Sequence, residues 1–380
     1  MFYQRYYNLS KLISKKRVLM IYGPRRVGKT TLIKDFLKTT KIKYKLDSGD
    51  NIRVQSLFQR MDFDTIKEYV EDYDLLVIDE AQQIKDIGQT LKVIIDEFPM
   101  YVIVTGSSSF EISHKTGEPL TGRKRTLLLL PLSIQELSQY YNKYELKQQL
   151  NKWMIYGMYP EILNAKTNKE KIQILKELVD SYLLKDVFAL ERLKSPAVLL
   201  DLLKLLAYQI GNEVSLNELS SQVKMDVKTV SRYLDLLEKS YVIKKFTAFS
   251  KNKRNEVTSK SKYYFIDVGI RNAIINQFEN IQYRNDVGVL FENFIIMEKY
   301  KNVVYKGNLS ELYFWRTHQQ KEIDLVEVKG KKIIAHEIKW RIDKKRQKNV
   351  IQNAFNEFKS NYKNSVLKII HSENFLDINN

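Results

Sequence analysis

Short, continuous apolar runs alternate with longer segments of mixed polarity along the first third of the chain. Strands that are buried on both faces, as in a parallel sheet covered by helices, are continuously apolar rather than alternating. The pattern therefore predicts an α/β domain with a parallel sheet. The predicted strands between Arg17 and about Pro131 are RVLMIYG, YDLLVIDE, YVIVTGS and RTLLLLPLS.

The pattern changes after about Ser133. As far as Leu193 the apolar spacing is helical, with one interruption at YGMYP. Residues 196–267 are predicted to form three helices and two strands, and the segment from about Asn285 combines helices with a hairpin. A chain of 380 residues is long enough for two to four compact domains.

The sequence GPRRVGKT, residues 23–30, fits the G-x-x-x-x-G-K-[ST] phosphate loop and lies between a predicted strand and a predicted helix. The glycines allow backbone N–H groups and the helix N-terminus to face the phosphates of a nucleotide. We expect Lys29 to reach the β- and γ-phosphates and Thr30 to ligate Mg²⁺. The predicted cofactor contacts in the loop are Gly23, Arg26, Gly28, Lys29, Thr30 and Thr31.

A second acidic element follows, because LLVIDE (Leu75 to Glu80) is a predicted buried strand that ends in two carboxylates. Asp79 is expected to hold hydrated Mg²⁺, and Glu80 is expected to orient and deprotonate the attacking water. The next predicted strand, YVIVTGSSS, ends in hydroxyl side chains. Thr105 or Ser107 is expected to contact the γ-phosphate, although a plain Ser/Gly turn explains these residues equally well.

Two arginines in TGRKR, Arg123 and Arg125, are candidates to stabilise the negative charge of a phosphoryl-transfer transition state. They would act either on the nucleotide of the same chain or on that of a neighbouring subunit. A solvated basic turn explains them about as well.

Taken together, GPRRVGKTTL, LLVIDEAQ, VIVTGSSS, LTGR with LLPLSIQEL, and YGMYPEIL resemble a prokaryotic branch of AAA+ ATPases. In that branch the ATPase is followed by a winged helix and by a C-terminal domain of unknown function that is similar to PD-(D/E)xK nucleases. The resemblance covers nearly the whole chain in the expected order. It implies ATP as the nucleotide and a small helical lid near residues 135–193.

The predicted fold class is α/β, with a P-loop parallel sheet of AAA+ type and a helical lid. A winged helix-turn-helix and an α/β restriction-endonuclease-like domain are expected to follow. The predicted bounds are 1–132 for the ATPase core, 133–194 for the lid, 195–270 for the winged helix and 283–380 for the nuclease-like domain.

The sequence VSLNELSSQVKMDVKTVSRYLDLLEKSYVI has the spacing of a helix-turn-helix. Ser215 and Glu218 form an S-x-x-E capping box for the first helix, and Asp226 caps the second. The apolar stripe of the second helix leaves Lys228 and Arg232 on its outer side.

Double-stranded DNA is the partner that this segment favours. Two predicted strands follow the helices and are joined by a basic loop, Lys251 to Lys260, which would lie as a wing beside a phosphate backbone. The chain carries 63 Lys and Arg against 45 Asp and Glu, a net charge of +18, which suits a polyanionic partner. A lysine-rich proteome explains the charge about as well, and winged helices also serve as protein-interaction modules.

The chain contains no cysteine, which excludes disulfides and thiolate metal sites. No apolar stretch is long enough for a signal peptide or a membrane helix. We therefore expect a cytoplasmic protein without a membrane partner, and the sequence leaves its oligomeric state open.

The sequence KEIDLVEVKGKKIIAHEIKW predicts two alternating strands around a type II′ turn at Gly330 and Lys331. Pairing outward from that turn places Asp324 directly opposite Glu337. Directly opposed like charges destabilise a sheet, and a divalent cation between them would remove that cost. Lys339 is two positions beyond Glu337 and lies on the same face.

Asp324, Glu337 and Lys339 resemble the core of PD-(D/E)xK nucleases, in which the acids hold Mg²⁺ and the lysine positions a water or stabilises phosphate charge. Glu292, in the predicted helix GVLFENFII, matches the additional helical acid of that fold. Glu327 has the opposite parity to Asp324 and is expected to face the other side of its strand. The alternative is a nuclease fold that serves as a DNA-binding or packing module without cleavage.

The function that these features favour is a Mg²⁺- and ATP-dependent AAA+ ATPase, whose nucleotide state moves a winged helix and a nuclease-like domain on DNA. The alternative is a signalling switch that binds ATP with little turnover and recruits a protein partner through the same winged helix. An ATPase rate that DNA increases would favour the first.

Overall fold

The computed structural model describes residues 1–60, 62–107, 120–183, 196–250, 260–307, 309–317, 319–342 and 344–379. The chain divides into two compact units. The first contains residues 1–131, and the second contains most of the described residues from Leu132 onward. Within the described ranges, every helix is too short or too polar to cross a membrane.

The first unit alternates strands and helices. Its strands are β1 Val18–Tyr22, β2 Tyr44–Ser48, β3 Leu75–Asp79, β4 Tyr101–Gly106 and β5 Lys124–Leu128. Its helices are α1 Lys29–Thr39, α2 Ile52–Arg60, α3 Phe63–Val70 and α4 Ile87–Glu97, with short 3₁₀ turns at Leu9–Lys11 and Ala81–Gln83. All five strands are parallel, in the order β2-β3-β4-β1-β5.

The parallel sheet expected from the apolar runs is confirmed. Every residue of β1 is buried, as are four of the five residues of β3. The sequence pattern did not predict β2, because this strand lies at the edge of the sheet. Its Tyr44 and Leu46 remain 40% and 39% exposed, so the segment shows no continuous apolar run.

The core of the first unit fixes where its loops converge. Met20 of β1, Leu76 of β3 and Val102 of β4 belong to one buried cluster, together with Phe58 of α2 and Leu91 of α4. The helices therefore hold the central strands in place. Because the strands are parallel, their carboxyl ends meet at one edge, and the loops after β1, β3 and β4 come together there.

The remaining chain is mainly helical with two sheets. The helices are α5 Ile134–Leu137, α6 Lys143–Tyr156, α7 Pro160–Asn164, α8 Asn168–Glu177, α9 Pro196–Tyr208, α10 Leu216–Val223, α11 Val227–Lys239, α12 Val268–Ile274, α13 Val287–Lys306 and α14 Lys344–Asn361. A π-helical segment, Leu178–Leu183, follows α8, and 3₁₀ turns occur at Ile281–Tyr283 and Phe375–Asn379.

The strands of the two sheets are β6 Glu213–Val214, β7 Ile243–Thr247, β8 Ser261–Phe265, β9 Glu311–Arg316, β10 Glu322–Lys329, β11 Lys332–Ile338 and β12 Ser365–Ile370. The first sheet is antiparallel, in the order β6-β8-β7. The second has the order β12-β11-β10-β9, and its β11 and β12 are parallel.

The predicted register of the β10–β11 hairpin is confirmed. Leu325 pairs with His336, and Lys329 pairs with Lys332 on either side of the turn. Gly330 has a φ of +59°, as the first central residue of a type II′ turn requires.

The segment YGMYP, which interrupts the helical pattern, makes a buried contact within the second unit. Gly157 has a φ of +76°, and a Cβ on it would lie 1.8 Å from Asp267 Oδ1. Asp267 accepts hydrogen bonds from Met158 N at 2.8 Å and from Gly269 N at 2.9 Å, at the start of α12. The residues predicted to form a lid, 133–194, therefore lie, as far as 183, in the same compact unit as α12.

Candidate nucleotide-binding site and acidic cluster

The phosphate loop lies at the carboxyl edge of the first sheet, between β1 and α1. Gly23 has a φ of +144°, and a Cβ on it would lie 1.9 Å from the carbonyl oxygen of Leu129. Gly28 has a φ of +97° and directly precedes α1. Gly23 requires glycine because the loop packs against the chain that leaves β5, and Gly28 favours glycine because of its positive φ.

The ammonium group of Lys29 lies inside this loop. Its Nζ donates hydrogen bonds to Gly23 O at 2.9 Å and to Pro24 O at 3.0 Å, and the residue is only 5% exposed. Arg26 has a φ of +59° in the same turn, and Thr31 is exposed on the first turn of α1. The loop thus places a buried positive charge beside the N-terminus of a helix, which is the arrangement that attracts phosphate.

Three neighbouring elements meet at Asp79. Thr30 Oγ1, from α1, donates a hydrogen bond to Asp79 Oδ2 at 2.6 Å. Thr105 Oγ1, from β4, donates to Asp79 Oδ1 and accepts from the Glu80 backbone N–H at 3.1 Å. Thr105 therefore holds the end of β3 from the neighbouring strand β4, and Thr30 connects the same carboxylate to the phosphate loop.

The Thr30 hydroxyl and the Asp79 carboxylate fit a magnesium ion. Mg²⁺ in nucleotide sites takes one or two protein oxygens and completes its coordination with water and phosphate. The described residues contain no group of three or more His, Asp or Glu side chains that is arranged to hold a metal.

Glu80 is held in an unusual conformation directly after β3. Its φ is +51°, and it begins the 3₁₀ turn Ala81–Gln83. The side-chain amide of Gln82 donates to Glu80 Oε2 and, at 3.3 Å, to Ser107 Oγ. Gln82, two residues after Glu80 in the sequence DEAQ, was not among the predicted site residues. Ser107 is thus linked to Glu80 by hydrogen bonds through Gln82, whereas Thr105 forms a hydrogen bond to Asp79 directly.

Arg123 lies at the opposite edge of the sheet. Its carbonyl accepts a hydrogen bond from Val18 N, at the amino end of β1, whereas the phosphate loop follows the carboxyl end. The length of β1 separates the two positions by about 13 Å. Arg123 forms an ion pair with Asp96, and Arg125 donates to Leu12 O at 3.1 Å. The structure therefore does not bring these arginines to the phosphate loop of their own chain. Action on a neighbouring subunit's nucleotide stays a prediction, and a solvated basic turn stays the alternative.

Arg5 is a site residue that the sequence analysis missed. Its side chain is nearly buried, with 6% of the residue exposed. Nη1 donates to Val27 O at 2.5 Å and Nη2 donates to Leu130 O at 2.6 Å. One guanidinium therefore connects the phosphate loop to the chain after β5. Arg5 and Leu130 are far apart in the sequence, so local patterns could not predict this contact.

The side chain of Lys339 lies between the opposed carboxylates of Asp324 and Glu337. Lys339 Nζ lies 3.0 Å from Asp324 Oδ2 and 2.8 Å from Glu337 Oε1. The backbone N–H of Ile338 also donates to Asp324 Oδ2, at 2.7 Å. The charge that offsets the opposed carboxylates is thus an ammonium group of the same hairpin.

Glu292, on α13, lies in the same region and has partners that the sequence analysis did not predict. Tyr264 OH donates to Glu292 Oε1 at 2.6 Å, and Lys262 Nζ lies 3.7 Å from the same oxygen. Lys262 also forms an ion pair with Glu322. Lys262 and Tyr264 both belong to β8. We call the set Glu292, Glu322, Asp324 and Glu337, with Lys262 and Lys339, the acidic cluster.

Burial dominates the electrostatics of this cluster. It raises the pKa of Glu292 to about 7, and the nearby Lys262 only partly opposes that rise. Burial likewise raises the pKa of Glu337 to about 8, with the charge of Asp324 adding to the effect and Lys339 opposing it. Burial therefore favours the neutral forms of Glu292 and Glu337, which reduces the negative charge that Lys262 and Lys339 have to balance.

Glu327 faces a different environment, as its parity predicted. Its Oε2 lies 2.8 Å from Lys299 Nζ and 3.5 Å from His336 Nε2. Burial opposes the ionisation of Glu327, but His336 and Lys299 outweigh it and lower the pKa of this carboxyl to about 2. This group is an internal ion pair rather than part of the acidic cluster.

The predicted DNA-binding residues lie on the surface of α11. Asp226 caps this helix by accepting from Thr229 N at 2.9 Å, and Ser215 caps α10. Lys228 and Arg232 are both exposed. Most of the predicted wing, residues 251–259, lies outside the described part of the chain.

Three family models match successive parts of the sequence. The one described as an AAA domain matches residues 15–138, and two described as domains of unknown function (DUF8612 and DUF4143) match residues 147–280 and 287–376. The chain is 24% identical over 328 residues to an uncharacterized protein of Mycobacterium tuberculosis, covering 85% of this chain and 70% of that protein. It is 25% identical over 339 residues to an uncharacterized protein of Methanocaldococcus jannaschii, covering 83% and 73%.

Two solved structures from Pyrococcus species are also similar. The Walker-type ATPase of Pyrococcus abyssi has a TM-score of 0.47 and 17% identity, over 68% of this chain and 91% of that one. A signal transduction ATPase with numerous domains and a tetratricopeptide repeat sensor, from Pyrococcus horikoshii, has a TM-score of 0.31 and 14% identity, over 80% and 45%.

The AAA domain match spans the phosphate loop, β3 and β4. Together with the parallel sheet and the contacts around Asp79, it shows that the first unit is similar to P-loop ATPase domains of the AAA type. The models that match the second unit carry no functional description. The winged helix and the nuclease-like domain therefore stay predictions.

Proposed function

We propose that this protein is a Mg²⁺-dependent ATP hydrolase that couples its nucleotide state to DNA through the second unit. The observation that supports hydrolysis is the set of contacts at Asp79. Thr30 of the phosphate loop and Thr105 of β4 donate to the two oxygens of this one carboxylate. The set joins the loop, the acid expected to serve Mg²⁺ and the hydroxyl expected near the γ-phosphate.

Each residue has a distinct role in this proposal. Lys29 exchanges its contacts with the loop carbonyls for phosphate oxygens. Thr30 and Asp79 would hold Mg²⁺, which would supply charge neutralisation at the phosphates. Glu80 accepts a proton from the attacking water, and Gln82 keeps its carboxylate in position.

Replacing Lys29 by Ala tests the nucleotide site. The variant should lose ATP binding, because the buried ammonium is the positive charge at the centre of the loop. Lys38→Ala, an exposed lysine at the other end of α1, is the matched control and should bind ATP normally. Undiminished ATP binding by Lys29→Ala, measured by titration calorimetry, would contradict the assignment.

The DNA part of the proposal is supported by the exposed Lys228 and Arg232 on α11 and by the net charge of +18. Contacts from such residues are mostly to phosphates and release counterions. Neutralising both should weaken duplex binding and reduce the log–log salt slope by about one unit per lost contact. The double variant of Lys329 and Lys331, exposed at the hairpin tip, is the control. If the Lys228 and Arg232 variant has the same DNA affinity and salt slope as this control, α11 does not contact DNA. It would then bind a protein partner or serve as a packing element of the second unit.

A signalling switch that binds ATP with little turnover is the second candidate. The buried Lys262, which pairs with Glu322 and is not part of the predicted nuclease core, favours it, because this cation suits a nuclease fold that does not cleave. DNA-stimulated ATP turnover would favour the first function, and tight ATP binding that DNA leaves unchanged would favour the second. A Mg²⁺-dependent cleavage gel run in parallel tests nuclease activity of the second unit.

A further inference from the structure

A lysine from the three-stranded sheet is completely enclosed in the acidic cluster. Lys262 is 0% exposed, forms an ion pair with Glu322 and lies 3.7 Å from Glu292 Oε1. Lysine is almost never fully buried unless it is paired, because removing an ammonium group from water is costly. Its position therefore depends on the negative charge of these two glutamates.

The geometry of β8 explains how the lysine reaches the cluster. Side chains two positions apart in a strand point to the same face, so Lys262 and Tyr264 act together. Tyr264 OH donates to Glu292 Oε1 at 2.6 Å. Arg316, at the end of β9, lies 3.5 Å from Glu322 through its Nε. Glu292 and Glu322 thus receive donors and cations from the protein itself.

The residues present do not fit the divalent metal that a nuclease-like site implies. Asp324 Oδ2 already accepts from Ile338 N and Lys339, and Glu337 Oε1 is paired with Lys339. Glu337 Oε2 is buried without a hydrogen-bond partner, but it is a single oxygen. Among the residues that the structure describes, no three acidic or histidine side chains converge as metal ligands.

We infer that Lys262 is the resident counter-cation of the acidic cluster and takes the place of a divalent metal ion. The cluster then ties β8 to α13 and β10 by internal ion pairs. The second unit keeps the acidic residues of a nuclease-like site while needing no metal to hold them together. This inference concerns the second unit alone and does not depend on ATP hydrolysis.

The test compares thermal unfolding in Mn²⁺ and in EDTA, with Lys29→Ala as the parent so that the phosphate loop adds no metal signal. The parent should melt at the same temperature in both. Adding Lys262→Met should lower the melting temperature by roughly 5 °C or more, because it leaves buried carboxylates uncompensated. Lys260→Met, an exposed lysine beside β8, should leave the melting temperature unchanged.

The decisive variant adds Glu292→Gln to Lys262→Met. If the lysine is a counter-cation, removing the matching negative charge should restore much of the lost stability. The inference is overturned if Mn²⁺ raises the melting temperature of the parent, or if the double variant is no more stable than Lys262→Met. Should Lys262→Met fail to fold, a folded double variant supports the inference and an unfolded one contradicts it.

Discussion

Replacing Arg5 by Met should destabilise the first unit and weaken ATP binding. The guanidinium is 6% exposed and donates to Val27 O at 2.5 Å and to Leu130 O at 2.6 Å. Val27 directly precedes Gly28 in the phosphate loop, and Leu130 follows β5. Methionine fills most of the same volume but leaves both carbonyl groups without this donor.

The size of the effect follows from these two hydrogen bonds. A hydrogen bond to a charged group contributes about 1.5–3 kcal/mol, and water that enters the site recovers part of it. We therefore expect a loss of about 2–4 kcal/mol in the free energy of unfolding. If about 1.4 kcal/mol of this loss falls on the loop conformation that binds phosphate, ATP affinity falls about tenfold.

Urea denaturation and ATP titration measure the two effects separately. Arg5→Lys keeps the charge but lacks the second arm of the guanidinium, so it should lie between wild type and Arg5→Met. Arg125→Met is the matched control, because Arg125 is exposed and donates a single-arm hydrogen bond to Leu12 O at 3.1 Å. Arg5→Met behaving like Arg125→Met in both assays would refute the reasoning.

Three further predictions concern the second unit. Gly157→Ala should cost about 2–4 kcal/mol in urea denaturation, because its Cβ would lie 1.8 Å from Asp267 Oδ1, whereas Gly288→Ala, with open space around it, should cost nothing. Glu327→Gln should lower stability by about 2 kcal/mol at pH 7. This difference should vanish towards pH 2, because a carboxyl whose folded pKa is about 2 stabilises the protein only while it is ionised; a pH-independent difference would contradict it. Asp324→Asn should lower the melting temperature rather than raise it, because it removes a counter-charge of the neighbouring lysine.

Local patterns in the sequence predicted the parts of the structure that depend on neighbouring residues. The buried runs at β1, β3 and β4 predicted the parallel sheet, and the turn at Gly330 predicted the hairpin register. The edge strand β2 escaped notice because Tyr44 and Leu46 are partly exposed. The pairing of Asp324 with Glu337 followed from the register alone.

Contacts between distant parts of the chain could not be predicted in this way. Arg5 and Lys262 are single residues in a chain with 63 lysines and arginines, and only the fold brings them to their carbonyl and carboxylate partners. The choice between the alternatives for Arg123 could have been narrowed from the strand order alone. A residue that precedes a strand lies at its amino end, whereas the phosphate loop follows the carboxyl end of its parallel neighbour.

ATP turnover by Glu80→Gln tests the central claim most directly. The account predicts that the wild type hydrolyses ATP in the presence of Mg²⁺. Glu80→Gln should bind ATP as tightly as the wild type. Its turnover rate should fall by a factor of at least about 100, because a positioned general base contributes about 10²–10⁴ in rate. Glu97→Gln, an exposed glutamate at the end of α4, should match the wild type. Undiminished turnover by purified, folded Glu80→Gln would contradict the account.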